Sequence, residues 1–400
     1  MTANAGDKTR TQVLVVGAGP VGLLAALRLR VLGVDVRIID QQSQHRMQTF
    51  PVVLHPQSVR LLNELGVAAA LHWRGRAITQ LAIYTEHQRR AVLDLPNVAG
   101  VARGALTLPQ DILRQALTNA LLEHGVEVEW NTRLAVLQQD RGSVWGRLVQ
   151  HEPMASGVRP EVQAFEAEFV IGADGYESSV REALGIELLQ CSGMESYAFF
   201  DASSPRSGSE AQLALSEEFA NAVYPIQGGL TRFSFQLASS LHRPPDSESL
   251  RELVEARIPW YADQPERCEW SGIAEFRRAL VQRFGEGRVW LAGEAAHLNG
   301  PLGVQSLNVG LDEGNELGQH IARDLHHPSS EPFGQAYEAG RQRQWRALLG
   351  LDPAATMSAR TPTWVRRHLR QLLPCLPASG GDLDDLLEQL RLAQSVAPSP

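Results

Sequence analysis

The stretch "TQVLVVGAGPVGLLAALRLRVLGVDVRIID", residues 11–40, constrains this chain more than any other. The apolar run "VLVV" ends at Gly17, a helical pattern opens after Gly19, and a second apolar run ends at Asp40. That succession predicts a strand–helix–strand unit. Gly17 permits the tight turn, Gly19 lets backbone approach a pyrophosphate, and Gly22 allows helix to pack against sheet. The helix start at Pro20 and Val21 offers free N–H groups and a positive dipole end to phosphates. Asp40, 18 residues beyond Gly22, can accept hydrogen bonds from a ribose diol, with Gln41 beside it. The unit suits the ADP half of a dinucleotide and does not separate NAD from FAD.

Two later turns make that choice. "GADGYESSVR" carries Gly172, Asp174, Gly175, Ser178 and Arg181, and "VWLAGEAAHLNGPLGVQSLNVGLDEGNELG" carries Gly293 and Glu294. Each follows an apolar strand, which places its carboxylate at the carboxyl edge of a sheet, where doubly wound folds bind ligands. A nicotinamide dehydrogenase has no need of two such turns so far down the chain. In two other stretches the pattern changes. "AITQLAIYT" and "RAVLDL", within 77–99, alternate as half-exposed strands, and from Glu187 to about Trp270 runs such as "ANAVYPI" and "TRFSFQLA" predict antiparallel strands with a helix near "ESLRELVEAR". Residues beyond Ser330 read as helical and end in the frayed "SVAPSP".

These motifs, in this order over roughly residues 10–330, resemble the FAD-dependent aromatic hydroxylases, single-component flavoprotein monooxygenases similar to para-hydroxybenzoate hydroxylase. The resemblance implies an α/β fold: a Rossmann-like FAD-binding domain with an inserted antiparallel-sheet substrate domain and a C-terminal helical tail. The expected boundaries are 10–76, 100–186 and 271–330 for FAD binding, 77–99 and 187–270 for the substrate domain, and 331–395 for the tail. By position it implies FAD contacts at Gly17, Gly19, Pro20, Val21, Gly22, Asp40 and Gln41, and at Arg46, Gln110, Asp174 and Gly175. Gly293 and Glu294 would hold the ribityl chain, and Pro301, Gly303, Leu307 and Asn308 would lie beside the isoalloxazine. The chain departs from the family pattern at Glu294 and Glu313, commonly Asp, and at Val304 and Ser306, commonly Gly.

The activity implied is hydroxylation of an aromatic or polycyclic molecule. NAD(P)H would reduce FAD, O2 would be captured as a C4a-hydroperoxide, and the distal oxygen would pass to the substrate. No second GxGxxG is visible, which favours transient nicotinamide docking. A phenolic substrate wants a proton acceptor within hydrogen-bond reach. Tyr224, Arg232, His55 and His297 are candidates, none of them assigned. Each has another reading: Tyr224 as a sheet-packing aromatic, Arg232 as a surface strand charge, His297 as a ring bonded to backbone. The rival functions are an FAD-dependent epoxidase or prenyl-chain reductase, and a non-catalytic flavin-binding protein. The tryptophan motif of flavin-dependent halogenases is absent.

Composition narrows the rest. A net charge of −8 with no basic patch argues against nucleic acid, and Lys8 is the only lysine, so lysine chemistry is excluded. Cys191, Cys268 and Cys375 are too dispersed for a disulfide framework or a zinc site. "MTANAGDKTR" lacks a signal-peptide core and no apolar run reaches membrane length, so a cytoplasmic protein is expected. "TPTWVRRHLRQLLPCLP" could touch a membrane surface, but packing of Trp364, Leu369 and Leu372 on the body is the favoured reading. A monomer or homodimer with a tailoring role in secondary metabolism, lacking the thioredoxin-like domain of larger phenol hydroxylases, completes the expectation.

Overall fold

The computed structural model describes residues 9–43, 51–100, 103–150, 161–204, 208–238, 245–261, 265, 267–327, 333–352 and 355–394. Its first sheet is built on parallel strands. Thr9–Val16 lies between Val36–Ile39 and Glu161–Gly172, and Val289–Leu291 adds to the far side of the latter. Val13, Leu14 and Val15 are wholly inaccessible to solvent, as expected of a strand with both faces covered. The register makes one feature stand out. Val16 pairs with both Ile39 and Gly172, and Gly172 pairs with Leu291, so four strands end in one row. The residues that follow, Gly17, Asp40, Ala173 and Ala292, therefore begin four turns along a single edge. An antiparallel hairpin, Thr132–Gln139 with Val144–Gln150, extends the other end of Glu161–Gly172.

Two helices fix that edge from one side. Pro20–Val31 buries Leu23, Leu24 and Leu27, and the long helix Gln305–His326 lies against it. Their approach depends on Gly310, Gly314 and Gly318, spaced by four. A Cβ on Gly314 would sit 2.9 Å from the Val21 carbonyl oxygen, and one on Gly318 would sit 2.9 Å from Arg28 Cγ. Residues at i and i+4 share a helix face, so the three glycines form one groove for the opening helix.

The second sheet has seven strands in the order 268–276, 195–203, 230–237, 220–225, 210–215, 80–85 and 88–94. All neighbours are antiparallel except Gln80–Thr85 with Glu210–Leu215. Strand periodicity divides its side chains cleanly. Phe200, Phe233 and Phe235 face the helix Ser247–Arg257, packing on Leu250 and Val254. Tyr197, Phe199, Ala222 and Tyr224 face the opposite way, into a core closed by Val365, Leu372, Leu376 and Leu386 from the C-terminal elements. In the helix Thr363–Leu372 it is Val365, His368 and Leu372 that are buried, while Trp364 and Leu369 sit half-buried at the margin. The inward face is thus rotated from the Trp364, Leu369 and Leu372 stripe expected from sequence. No helix among the described residues is long and apolar enough to cross a membrane.

Candidate functional site

The edge where the four strands end is lined by three tight turns that touch one another. Gly17, at φ +105°, lies so close to Ala173 that a Cβ would collide with its carbonyl, and a Cβ on Gly22 would collide with the Gly17 carbonyl. Gly19 is the exception: nothing lies within 4 Å of where its Cβ would be. It is also the N-cap of the opening helix, with Pro20 in the first turn and no side chain capping the helix end. The first-turn donors there lack a side-chain partner, which is the cradle a pyrophosphate requires.

Asp40 secures this loop. One carboxylate oxygen accepts from Ala18 N–H at 2.7 Å, and the other from Gln42 N–H at 2.7 Å. Each oxygen retains a lone-pair site, so the same group can meet a ribose hydroxyl. Gln41 is exposed beside it, and Gln110 is half-buried at the start of the helix Gln110–Glu123. Arg46 lies outside the described residues.

Asp174 is turned the other way. Its carboxylate accepts from Ser179 N–H at 2.7 Å, Ser179 Oγ at 2.8 Å and Val180 N–H at 3.2 Å, so it anchors the short helix Ser179–Ala183. Burial raises its pKa above the ordinary carboxylate range, opposed by those hydrogen bonds. Gly175 takes φ +80° in the same turn. Arg181, on the short helix, donates to the Ala295 carbonyl at 3.0 Å, which ties this turn to the next.

That next turn holds Glu294. Among the described residues it makes no hydrogen bond and no ion pair. Its side chain is exposed to solvent. Desolvation by the surrounding protein nonetheless raises its pKa, with His297 pulling the other way. An unpartnered carboxylate beside a glycine cradle fits a ligand rich in hydroxyls.

Beneath it lies a cluster centred on Glu313 that takes in His297, one of the four candidates for proton transfer. Glu313, fully buried, accepts from Gly293 N–H at 2.8 Å, His297 Nε2 at 2.9 Å and Trp345 Nε1 at 2.7 Å. His297 stacks on Trp345 with ring centroids 3.7 Å apart. Burial alone would raise the Glu313 pKa, but His297, Arg341 and the hydrogen bonds outweigh it and hold it below its ordinary value. Gly293, at φ +64°, is therefore clamped from below, and Glu294 with it. His297 is thus bonded to a carboxylate, not to backbone as the sequence suggested.

The loop after Glu294 is held just as tightly. Tyr224 packs in the sheet core and its hydroxyl donates to the Leu302 carbonyl. His55 Nε2 donates to the Gly303 carbonyl at 2.8 Å, and burial lowers the His55 pKa to about 4, that bond opposing. Asn308 accepts from His55 N–H and Ser58 Oγ, each at 2.7 Å, and donates to the Val53 and Val304 carbonyls, each at 2.8 Å. Gly303 is buried against Pro374, while Pro301 and Leu307 are half-buried. Val304 adopts φ +50°, ψ +34°, the left-handed region that disfavours a β-branched residue. Ser306 accepts from Asn299 N–H at 3.1 Å, closing the loop. Arg232 corrects a second expectation. It is buried, not a surface charge, and forms a two-pronged pair with Asp201 at 2.7 Å on the neighbouring strand. All four candidates for proton transfer are thus engaged, although His297 keeps one ring nitrogen, Nδ1, buried and without a hydrogen bond among the described residues.

Where this loop meets the seven-stranded sheet there is a cavity of about 220 Å³. Gly300 and Leu302 form one wall, Tyr197 and Ala220 another, and Pro374 and Cys375 a third. Glu195, Glu218 and Arg278 also reach it. This site was not legible from spacing, because its residues come from segments far apart in the chain.

A parallel sheet with an open glycine cradle, a ribose-range acid and a third carboxylate turn defines an α/β dinucleotide-binding protein of the flavoprotein kind. The model of the FAD binding domain family matches residues 10–350, and the chain belongs to that family. Relatives include 6-methylpretetramide 4-monooxygenase of Streptomyces rimosus, 25% identical over 86% of this chain and 61% of its own. Rifampicin monooxygenase of Rhodococcus hoagii is 23% identical, covering 91% and 75%. Pentachlorophenol 4-monooxygenase of Sphingobium chlorophenolicum is 25% identical, covering 86% and 66%. The chain thus spans about three-fifths to three-quarters of these relatives' lengths. Among solved structures, p-nitrophenol 4-monooxygenase of Pseudomonas putida shares the fold at a TM-score of 0.72 and 20% identity, covering 96% of this chain and 98% of that one. Anhydrotetracycline hydroxylase of Streptomyces rimosus superposes at 0.65 and 22%, covering 86% and 68%.

Proposed function

We propose that this protein is an FAD-dependent, NAD(P)H-consuming monooxygenase that hydroxylates an aromatic small molecule, with the seven-stranded sheet forming the substrate side. The observation that carries this reading is the course of one loop. It leaves the cofactor edge at Glu294 and reaches the cavity at Gly300 and Leu302, so a group held at one end can act at the other. The named relatives support it, two of them by a phenol in their names.

Bound FAD would supply the redox chemistry, accepting a hydride from NAD(P)H and activating O2. The chain's own residues do the rest. Gly17, Gly19, Pro20, Val21 and Gly22 present the helix N-terminus to the pyrophosphate, and Asp40, with Gln41 adjacent, meets the ribose. Glu294, held by the Glu313 cluster, accepts from the ribityl hydroxyls. Gln110 and, by the family resemblance, Arg46 would make further FAD contacts, and the Asp174–Gly175 turn would shape the pyrophosphate side. The start of the helix Gln305–His326, from Gly303 to Leu307, would offer its positive dipole end to a bound flavin, stabilising negative charge there. Tyr224, His55 and Asn308 fix that loop, and NAD(P)H docks transiently. A cytoplasmic location and a tailoring role in secondary metabolism accompany this reading.

The test is the visible spectrum of the purified protein, followed by NADPH and NADH oxidation with a panel of phenols and quinolones under oxygen-18. Flavin bands, substrate-stimulated oxidation and label in the product are expected. Unlabelled product would point to a reductase, and bound flavin without stimulated oxidation to a non-catalytic flavoprotein.

A further inference from the structure

Resting on the monooxygenase reading, we propose that the cavity takes a neutral, single-ring phenol whose hydroxyl donates a hydrogen bond to Glu195. Three observations lead there. The first is size. An apolar cavity of about 150 Å³ admits benzene, whereas drug-sized ligands occupy roughly 300–1,000 Å³. At about 220 Å³ and partly open to solvent, this space suits one substituted ring and is too small to enclose a four-ring skeleton.

The second is the state of Glu195. Its Oε2 accepts from the Tyr197 hydroxyl at 3.1 Å, and its Oε1 stands 3.3 Å from Arg278 Nε. That Arg278 nitrogen is buried and makes no hydrogen bond. Both carboxylate oxygens therefore keep acceptor capacity. Burial and the Glu195 charge push the Tyr197 pKa far above its ordinary value, so this hydroxyl stays a donor to Glu195 and does not compete for the phenol proton. A Cβ on Gly300 would lie 3.6 Å from Glu195 Oε2, which shows that the carboxylate reaches across from the sheet to the loop beyond Glu294.

The third is charge. Glu195 is paired with Arg278, and the exposed Glu218 has Arg257 near it outside the lining. The cavity wall thus has two carboxylates and one cation, while Tyr197 and the Cys375 thiol, its pKa raised to about 12 by burial, add no charge. Two carboxylates against one cation repel an anionic ring and leave a phenol O–H as the natural donor. Gln236 and Gln371 line the same space and can meet a second polar substituent.

The experiment uses the FAD-loaded protein and equilibrium binding, with no turnover required. Its probes are 4-nitrophenol, whose ionisation is visible, 4-hydroxybenzoate as the anionic ring, and tetracycline as the four-ring molecule. Wild-type protein is expected to bind 4-nitrophenol, to bind 4-hydroxybenzoate at least about tenfold more weakly, and to exclude tetracycline. Bound 4-nitrophenol should ionise at higher pH than the free probe, because Glu195 favours its neutral form. Glu195→Gln leaves Arg278 without its counter-charge, so it should lower that midpoint by about one unit or more relative to wild type and weaken binding of the neutral probe about tenfold. Ala220→Phe fills the cavity and should abolish probe binding with FAD content unchanged. An unmoved midpoint in Glu195→Gln, full affinity in Ala220→Phe, or equal binding of 4-hydroxybenzoate would each overturn the proposal. Aromatic-stimulated NAD(P)H oxidation that both variants leave intact would sink the pocket and keep the monooxygenase reading. Probe binding as expected without any such oxidation would do the reverse.

Discussion

The two ends of the cofactor edge are built on opposite principles. Around Gly17 to Gly22 and at Glu294, polar groups are held in place but left without protein partners. From Leu302 to Asn308, most polar groups are paired within the chain: Tyr224, His55, Asn308 and the Gln305 amide nitrogen all bond backbone or side chains, with Gln305 Oε1 the exception. The difference teaches that positioning and contact are separate tasks. A ligand meets the first region directly, and meets the second through a loop whose shape is fixed from behind.

Four substitutions sharpen this contrast, and the largest effect belongs to the hidden support. Glu313→Ala strips one acceptor from three buried donors, and should cost about 3 kcal/mol of stability while loosening FAD. Denaturant melts of loaded and FAD-free protein would check it, and wild-type stability would remove the clamp from the account. Glu294→Ala takes away an exposed acceptor only. FAD affinity should fall by about 2 kcal/mol, the scale of hydrogen bonds to a charged group, with the melting curve of the FAD-free protein unchanged. Equal FAD affinity by titration would contradict its role.

His55 carries a pH signature. Its folded pKa of about 4 lies below the ordinary 6.5, so the unfolded chain binds more protons between those values. Stability from this group is complete above about pH 6.5 and is lost as pH falls toward 4, reaching a loss of about 2 kcal/mol by pH 5. His55→Gln should flatten that part of the profile in melts at pH 7.5 and pH 5, and a parallel slope would argue against it. The smallest effect should come from Val304→Gly, which relieves a left-handed β-branched residue and should stabilise by about 1 kcal/mol. A lower melting temperature would mean that the Val304 side chain contributes more by packing than it costs in strain.

The first region was legible because its chemistry is local. Glycine turns and acids stand at the ends of apolar runs, and the strand register then brings Gly17, Asp40, Ala173 and Ala292 to one edge. Asp174 shows the limit of that reading: its place was evident, its orientation toward Ser179 was not. The second region is made of pairings that sequence spacing does not encode. His55 meets Gly303 and Asn308, Arg232 meets Asp201, and Arg278 meets Glu195 across long separations. Alternation predicted Arg232 on a sheet face, but not that Phe199 and Trp270 cover it. One cue was available and passed over: glycines at 310, 314 and 318 mark a helix face meant for close approach.

The Glu313 cluster also sets a schedule for making the protein. Its last contributor is Trp345, and the fourth strand of the cofactor edge ends at Leu291. A chain emerging from the ribosome can form the opening strand, glycine turn and helix early, yet none of these completes a binding edge. Parallel strands so far apart in sequence pair late and slowly. The nascent protein therefore carries its phosphate cradle unfinished until synthesis has passed Trp345, and flavin can be captured only after that point.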